Sequence, residues 1–287
     1  MLALLMPGLG QIYNIEYIRG ALFFAAFALT PPLFSYAAVL LDGGHLCGIV
    51  LAGVLLTAVL FVISIVDAVR HANSPRPPHG RNIVILIALL PVLCAGGVLY
   101  PLSEHIRKNV IESFYAPSAS MEPSIAKGDF FFVNKRVNAP GFRREIKRGD
   151  IVVFVAQNNR NRCYVKRVIG LPGDTLRYRQ NMLSVNDKQI TVDTIDRTQS
   201  GVMTGLERAD SQKTYTIQWS PQSAADVNIT VPPGHIFVLG DNRNNAVDSR
   251  SFGPVPLRDV AGIAWQVWFN RDLDKRSRIG TLLSPNQ

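Results

Sequence analysis

The chain has 287 residues, of which 47% are apolar and 18% charged, and its formal net charge is +9. This length allows one or two domains. The sequence contains no zinc-finger, helix-turn-helix or RNA-binding motif, so we expect no nucleic-acid partner. The first 100 residues hold only four Lys or Arg and three Asp or Glu. The excess positive charge therefore belongs to the rest of the chain, where a basic surface near anionic lipid is the better explanation.

Three segments of the apolar first third are long enough to cross a bilayer, which needs about 20 apolar residues. They cover residues 20–41, 47–69 and 82–102. Residues 1–13 are too short to cross alone. They are an interfacial or re-entrant piece, the remnant of a longer span, or a cleaved signal sequence, which is disfavoured because a basic n-region is missing. We predict an α-helical membrane region with about three transmembrane helices over residues 1–103.

The charges of the short loops predict how these helices are oriented, because Lys and Arg favour the cytoplasmic side. Loop 42–46 carries neither residue type, whereas the loop after the second segment carries Arg70, Arg76 and Arg81. Residues from about 104 onward are then outside the cytoplasm. We expect a multi-pass protein of the plasma (inner) membrane, with its polar domain on the extracytoplasmic (periplasmic) side.

After residue 102 the pattern changes to short apolar runs that alternate with turn sequences, which is typical of β structure. The predicted strands are residues 130–133, 151–155, 164–169, 214–219, 236–239 and 261–269. Leu171-Pro172-Gly173-Asp174 has Pro and Gly at the centre of a type II turn, and Pro232-Pro233-Gly234 is similar. We predict a mainly β domain of antiparallel sheets over residues 104–287, with a peripheral hairpin or subdomain at about 176–230.

Cysteine and metal chemistry have little support in this sequence. Of the three cysteines, Cys47 and Cys94 fall in the apolar third, and only Cys163 lies in the polar part. No disulfide can therefore form within the polar domain. Cys163 also lacks a neighbouring ligand at a spacing that suits zinc. We expect no metal and no cofactor.

Three polar clusters carry the candidate chemistry, at residues 117–124, 164–174 and 240–250. A serine hydroxyl is a poor nucleophile until a base removes its proton. Four of the five histidines lie in or beside the membrane region, and His235 follows a turn, so none suits this role. Lys166 lies in an apolar strand, where burial would lower its pKa toward neutrality and let it act as the base. On the residues alone, a strand lysine more often has its ammonium in solvent.

These clusters, in this order and spacing, resemble the bacterial type I signal peptidases, which are serine–lysine endopeptidases. The family has a Ser-x-Met-x-Pro-Ser/Thr box, a Lys-Arg-x-x-Gly-x-Pro-Gly-Asp box and a Gly-Asp-Asn-Arg-x-x-Ser-x-Asp-Ser-Arg box. Shorter matches lie at residues 128–130, 148–154 and 277–280. The resemblance covers about residues 113–280 and implies a β fold similar to those of signal peptidases and repressor proteases. It does not extend to the membrane region, where the family more often has one or two spans.

The resemblance implies a role for each matching residue. Ser120 matches the nucleophile and Lys166 the general base, while Ser118 and the backbone N–H of Ser120 match the donors to the oxyanion. Six residues match walls of the substrate cleft: Phe114, Ala116, Met121, Ile125, Tyr164 and Val165. Plain core packing is the alternative for Phe114, Met121 and Ile125. Four residues are expected to form structural ion pairs that support the site: Arg167, Asp241, Asp248 and Arg250.

The third box departs from the family pattern at two positions. Ala246 stands where the family usually has a serine that hydrogen-bonds the catalytic lysine, and Asn244 stands where aspartate is common. Either another hydroxyl, such as that of Ser118 or Ser249, or a water replaces the missing group, or catalysis is weaker.

The resemblance implies an enzyme that removes signal peptides from exported preproteins after small residues of the Ala-x-Ala type. Its expected partners are preprotein signal peptides and the lipid bilayer, with the secretion machinery as a further candidate. Two alternatives stay open: a conjugation-type processing peptidase with one dedicated substrate, and a catalytically weak, membrane-anchored binding or assembly module. A self-cleaving repressor-type protease is disfavoured, because it would carry a DNA-binding domain in place of the apolar third.

Overall fold

The protein is represented by a computed structural model, which describes the greater part of the chain in two compact units, Met1–Val110 and Ile111–Gln287. The described residues are 4, 7–14, 16–40, 46–71, 89, 97, 100–137, 144–156, 159–179, 181–190, 192–197, 201–208, 214–220 and 226–283.

The first unit is helical over its described residues. Its helices are α1 (Leu9–Tyr13), α2 (Tyr17–Leu40), α3 (Leu46–Arg70) and α4 (Tyr100–Asn109). Within the described residues, one helical segment is long and apolar enough to cross a membrane, namely Gly48–Arg70, with a mean hydropathy of 3.0. Ile18–Phe34 is a shorter apolar helical segment. The described residues of the predicted spans 20–41 and 47–69 thus fall on helices, whereas most of the predicted span 82–102 lies outside the described residues.

Helix α1 packs on the two long helices through small and polar residues. Gln11 is fully buried, and its Nε2 donates to the backbone oxygen of Ser64 at 2.8 Å and to Asp67 Oδ2 at 3.0 Å. Gly8 has a φ of +90°, and a Cβ at this position would lie 2.1 Å from the backbone oxygen of Gly20. Gly8 and Gln11 therefore attach α1 to the two long helices. In an apolar interior without water, a polar side chain such as that of Gln11 must bond to protein groups.

The second unit is built from antiparallel sheets, as the alternating sequence pattern predicts. A seven-stranded sheet has the order β1-β2-β14-β3-β4-β12-β13, a three-stranded sheet the order β10-β9-β8, and a four-stranded sheet the order β11-β5-β6-β7. The strands are β1 (Ile111–Tyr115), β2 (Asp129–Asn134), β3 (Ile151–Ala156), β4 (Asn159–Gly170), β5 (Thr175–Arg179), β6 (Met182–Val185), β7 (Lys188–Gln189), β8 (Val192–Arg197), β9 (Met203–Arg208), β10 (Thr214–Trp219), β11 (Val227–Thr230), β12 (His235–Leu239), β13 (Val255–Pro256) and β14 (Val260–Asn270). A short helix, α5 (Ser249–Phe252), and two 3-10 helices, Leu257–Asp259 and Leu273–Arg278, complete the described elements.

All six predicted strands are confirmed, and the two predicted turns have the geometry that their glycines allow. Asp174 N donates to Leu171 O at 3.0 Å and Gly173 has a φ of +88°, while Gly234 in the second turn has a φ of +71°. These turns connect β4 to β5 and β11 to β12. Residues 176–230 form most of the two smaller sheets, which share an apolar core with the adjoining ends of β4 and β12.

The position of β14 decides how the large sheet is assembled. This strand lies between β2 and β3, with Ala264 opposite Val133 on one side and Ile263 opposite Val152 on the other. Strand β4 follows β3 in the sheet, with Lys166 opposite Val152. Strand β14, from the far end of the chain, thereby joins β2, which follows the first polar cluster, to β3 and its neighbour β4, which carries most of the second cluster.

Candidate active site

The first polar cluster forms a turn between β1 and β2. The backbone of Ala116 closes the turn in both directions: its N donates to Asp129 O at 2.9 Å, and its O accepts from Gly128 N at 2.9 Å. Inside the turn, Ile125 N donates to Met121 O at 2.9 Å. Ser120 is 9% exposed. The turn therefore holds the Ser120 hydroxyl at a largely buried position.

Lys166 projects from β4 toward this hydroxyl. Its Nζ donates to Ser120 Oγ at 2.8 Å and to the backbone oxygen of Val165 at 2.8 Å, and the residue is 4% exposed. A lysine paired with a serine at this distance can exchange a proton with it directly. The structure thus brings together the two side chains that the sequence singled out.

The electrostatics of Lys166 are set mainly by its burial. Removal from water disfavours the charged ammonium and lowers the pKa of Lys166 from 10.5 to about 8. The negative charges of Asp248 and Asp241 act in the opposite direction and raise this pKa. An amine with such a pKa is partly neutral near physiological pH, so its lone pair is available to accept a proton.

Ser118 lies beside the pair. Ser118 itself is exposed, and its Oγ donates to the Oγ of the buried Ser120 at 3.3 Å. A hydroxyl next to the attacking oxygen is close to where negative charge would develop during attack on a carbonyl.

The predicted support residues form two buried arginine–carboxylate pairs. Arg167 donates through Nε and Nη2 to both oxygens of Asp241, at 2.7 and 2.6 Å, and through Nη1 to Gly149 O at 2.7 Å. Arg250 donates in the same forked manner to Asp248, at 2.8 and 2.7 Å. Forked pairs of this kind fix orientation as well as charge. Since Arg167 follows Lys166 in the strand, the first pair ties the second cluster to the third.

The turn between β1 and β2 carries Ser120, the predicted nucleophile, and is called the nucleophile turn below. Gly240 brings the third cluster into contact with it. A Cβ on Gly240 would lie 2.3 Å from the Cβ of Ala246 and 2.6 Å from the backbone oxygen of Ser120. Asn242 adds two hydrogen bonds to the same turn, from its N to Ser120 O at 3.2 Å and from its Nδ2 to Ala119 O at 3.1 Å. Only glycine fits between these two segments.

The methyl group of Ala246 therefore lies against Gly240, at the position where the family pattern has a hydroxyl. Among the described residues, the hydrogen-bond acceptors of Lys166 Nζ are Ser120 Oγ and Val165 O. Of the two hydroxyls considered as substitutes, Ser249 Oγ accepts from Val238 N at 3.0 Å and Ser118 Oγ bonds to Ser120. A backbone carbonyl, which no side-chain pattern records, orients the amine.

The predicted cleft residues separate into two groups. Five of them belong to one apolar cluster beside the nucleophile turn: Phe114, Ala116, Met121, Ile125 and Val165. Tyr164 packs elsewhere, with its ring centroid 6.1 Å from those of both Phe154 and Phe252. Its ring centroid also lies 5.9 Å from Lys166 Nζ. Tyr164 therefore lies close to the amine but outside the cluster that the other five form.

Two shorter motifs meet at the base of the nucleophile turn. Asp129 is fully buried, and its Oδ2 accepts from Ala126 N at 2.8 Å and from Arg278 Nε at 3.1 Å. Arg278 Nη2 also donates to Ser124 O at 2.7 Å. Motif matching located these residues, but only the fold reveals that a residue near the C-terminus braces the turn.

Within the described residues, one group of side chains has the composition of a metal site, and it lies in the first unit. It consists of Glu16, Asp67 and His71, whose ligand atoms lie within 4.8 Å of one another. The guanidinium of Arg19 lies 3.3 Å from Glu16 Oε1 and 3.2 Å from His71 Nε2, so a positive group already stands among these atoms.

The sequence matches one protein family and individual members of that family. The family described as "Signal peptidase, peptidase S26" matches residues 82–269, more than half of the chain. Signal peptidase I of Pseudomonas aeruginosa is 32% identical over 208 residues, which cover 62% of this chain and 73% of that protein. Signal peptidase I of Bacillus caldolyticus is 35% identical over 164 residues, covering 57% and 82%.

Among solved structures, signal peptidase I from Enterococcus faecalis V583 is 29% identical, covers 42% of this chain and 97% of that chain, and has a TM-score of 0.29. The family match spans all three polar clusters, at residues 117–124, 164–174 and 240–250. The chain therefore belongs to the signal peptidase family, peptidase S26, and is a serine endopeptidase.

Proposed function

We propose that the protein removes signal peptides from exported preproteins, with Ser120 as nucleophile and Lys166 as general base. The observation that carries the proposal is the 2.8 Å contact between Ser120 Oγ and a buried Lys166 Nζ whose pKa is lowered to about 8. A neutral amine at this position can take the proton that a serine must lose before it attacks a peptide carbonyl.

In the first half of the reaction, Lys166 Nζ removes the hydroxyl proton as Ser120 Oγ forms a bond to the carbonyl carbon. The ammonium then gives this proton to the leaving amide nitrogen as the peptide bond breaks, and an acyl-enzyme remains. Val165 O holds the amine in place through both transfers. In the second half, neutral Lys166 takes a proton from water, the hydroxide releases the acyl group, and Ser120 recovers its proton.

The oxyanion formed in each half is proposed to be stabilised by Ser118 Oγ and the backbone N–H of Ser120. Ser118 is well placed for this, because its Oγ is 3.3 Å from the attacking oxygen. A single donor of this type typically lowers the barrier by about 3 kcal/mol.

Specificity for small residues of the Ala-x-Ala type is proposed to come from the apolar cluster beside the turn. Ala116, Met121 and Ile125 are at most 2% exposed, and a wall packed this closely is proposed to admit only small side chains. Phe114 and Val165 are only partly buried and complete the proposed wall. Tyr164, which lies 5.9 Å from the amine, is proposed to border the site from the other side of Lys166.

The first unit is proposed to anchor the enzyme in the plasma membrane as a multi-pass region, with the peptidase unit on the extracytoplasmic side. The segment Gly48–Arg70 has the length and composition of a span, and the arginines that follow it favour the cytoplasmic side. Preproteins would then present an extended segment just outside the bilayer, with the secretion machinery as a further candidate partner.

The assay that tests this proposal is cleavage of a purified preprotein by the full chain in detergent. Ser120→Ala and Lys166→Ala variants are expected to lose nearly all turnover, because each removes one partner of the proton transfer. Asp259→Asn, which removes a buried charge outside the three clusters, serves as the control and should retain activity. Normal turnover by either active-site variant would refute the dyad, and a wild type that cleaves no preprotein would favour a binding module.

A further inference from the structure

Glu207 is a buried carboxylate that lies outside all of the sequence clusters discussed so far. It belongs to β9 and is fully buried. Its Oε1 accepts from Arg243 Nη2 at 2.6 Å and from the hydroxyl of Tyr215. Its Oε2 is also buried and has no hydrogen-bond partner among the described residues. A half-satisfied buried carboxylate is unfavourable for stability by itself, so its position calls for another reason.

Arg243 connects this carboxylate to the loop Gly240–Arg243, called the Gly240 loop. The arginine is 2% exposed, and its Nε donates to Gly240 O at 3.2 Å. Its backbone N donates to Gln218 O at 2.8 Å, and Gln218 N donates to Asp241 O at 2.9 Å. These two backbone hydrogen bonds join the end of β10 to the loop. Between these anchored residues lies Asn242, which contacts the carbonyl oxygens of Ala119 and Ser120.

Tyr215 connects the same carboxylate to the second cluster. The guanidinium of Arg167 lies 4.0 Å from the centroid of the Tyr215 ring. This distance is within the range of a cation–π interaction. Arg167 is also the forked partner of Asp241 and the neighbour of Lys166 in β4. Glu207 therefore contacts both the residue that anchors the loop and the ring that packs on the Arg167 side chain.

We infer that Glu207 is a positioning residue for the reaction: through Arg243 and Tyr215 it fixes the Gly240–Arg243 loop against the nucleophile turn. The inference rests on the proposed function of Ser120 and Lys166. Removing one partner of a buried ion pair leaves the other charge uncompensated, so Arg243 would reorient and release the loop. Displacements of about 1 Å at a reacting group can reduce rates about 100-fold.

The first experiment compares preprotein cleavage by the wild type, Glu207→Gln and the control Asp259→Asn, all as full-length chains in detergent. Glutamine keeps the volume and one acceptor oxygen but removes the charge. We expect the kcat of Glu207→Gln to fall at least about tenfold, with KM changed less than about twofold, because the loop positions the nucleophile and not the substrate. Asp259→Asn should match the wild type.

A second variant separates positioning from stability. In Glu207→Leu/Arg243→Met, both charges are replaced by apolar side chains, and such replacements commonly restore stability. We expect its thermal midpoint to return toward that of the wild type while kcat stays at least about tenfold lower, since the bond to Gly240 O is still missing.

The outcomes are distinct from those that test the proposed function. A wild type without preprotein turnover contradicts the proposed function itself. With an active wild type, full activity in Glu207→Gln, or recovery of kcat together with the thermal midpoint in the double variant, would overturn the role of Glu207.

Discussion

At the scale of single residues, the proposed chemistry depends on the protonation state of Lys166. Burial lowers its pKa to about 8, and only the neutral amine can accept the serine proton. We therefore expect kcat/KM for a preprotein to rise about tenfold per pH unit below pH 8 and to level off above it. A pH profile between 6 and 10 measures this, and a rate that is flat across pH 8 would show that Lys166 does not act as the base.

The same burial makes Lys166 unfavourable for stability. Its pKa is lowered from 10.5 to about 8, so the unfolded state binds more protons than the folded state between these values. The penalty is complete below pH 8, shrinks as the pH rises, and vanishes above 10.5. Lys166→Met removes this ionisation penalty, which is about 3 kcal/mol at pH 7, and should abolish turnover.

Denaturant unfolding can measure this difference, because all three tryptophans, Trp219, Trp265 and Trp268, lie in the peptidase unit. The gain should decline by about 1.4 kcal/mol per pH unit above pH 8. Lys127→Met is the matched control, since Lys127 is exposed and its replacement should change stability little. A stability difference between Lys166→Met and the wild type that stays constant from pH 8 to pH 10 would contradict the lowered pKa of Lys166.

At the scale of elements, the close contact at Gly240 means that the Gly240 loop and the nucleophile turn cannot move independently. Gly240→Ala would place its methyl 2.3 Å from the Cβ of Ala246 and 2.6 Å from Ser120 O. Overpacking of this kind destabilises by about 1–3 kcal/mol, and the displaced turn should lower kcat about 100-fold. Preprotein cleavage and thermal unfolding together measure both effects.

A second substitution tests whether the carbonyl contact or the methyl contact matters. Gly240→Ala/Ala246→Gly removes the clash between the two Cβ atoms but leaves the clash with Ser120 O. Stability should recover in part while kcat stays low. If activity recovers fully with stability, the contact with the nucleophile turn is not what limits the enzyme.

The elements also show why part of the site could be predicted and part could not. The strands around Lys166 follow from alternating apolar residues, and the turn at Gly173 from its Pro-Gly pair. In contrast, the contact of Arg278 with Asp129 joins residues 149 positions apart, and no local pattern contains that information. The orientation of Lys166 by Val165 O is equally invisible, because a backbone carbonyl is present at every position.

At the scale of the whole molecule, the chain divides into a helical unit and a β unit, Met1–Val110 and Ile111–Gln287. If the first unit only anchors the enzyme, residues 111–287 alone should cleave a soluble peptide substrate at nearly the rate of the full chain. Cleavage of preproteins in vesicles should fall about 100-fold or more, because the enzyme loses its effective concentration at the membrane.

Parallel assays of both substrates with both forms of the enzyme measure this difference. Tryptophan fluorescence confirms that the shortened chain is folded before rates are compared. A folded β unit that loses activity on the soluble peptide would show that the helical unit contributes to catalysis, and equal rates on vesicles would show that no anchor is needed.

The place of β14 between β2 and β3 affects when the enzyme can start to work. Ribosomes make β14 after every other strand of the large sheet. Until then, β2 and β3 lack the strand that lies between them in the finished sheet. Long-range strand pairings of this kind form slowly. The proposed dyad should therefore assemble only after synthesis has passed residue 270, so that chains ending before this residue should have no proteolytic activity.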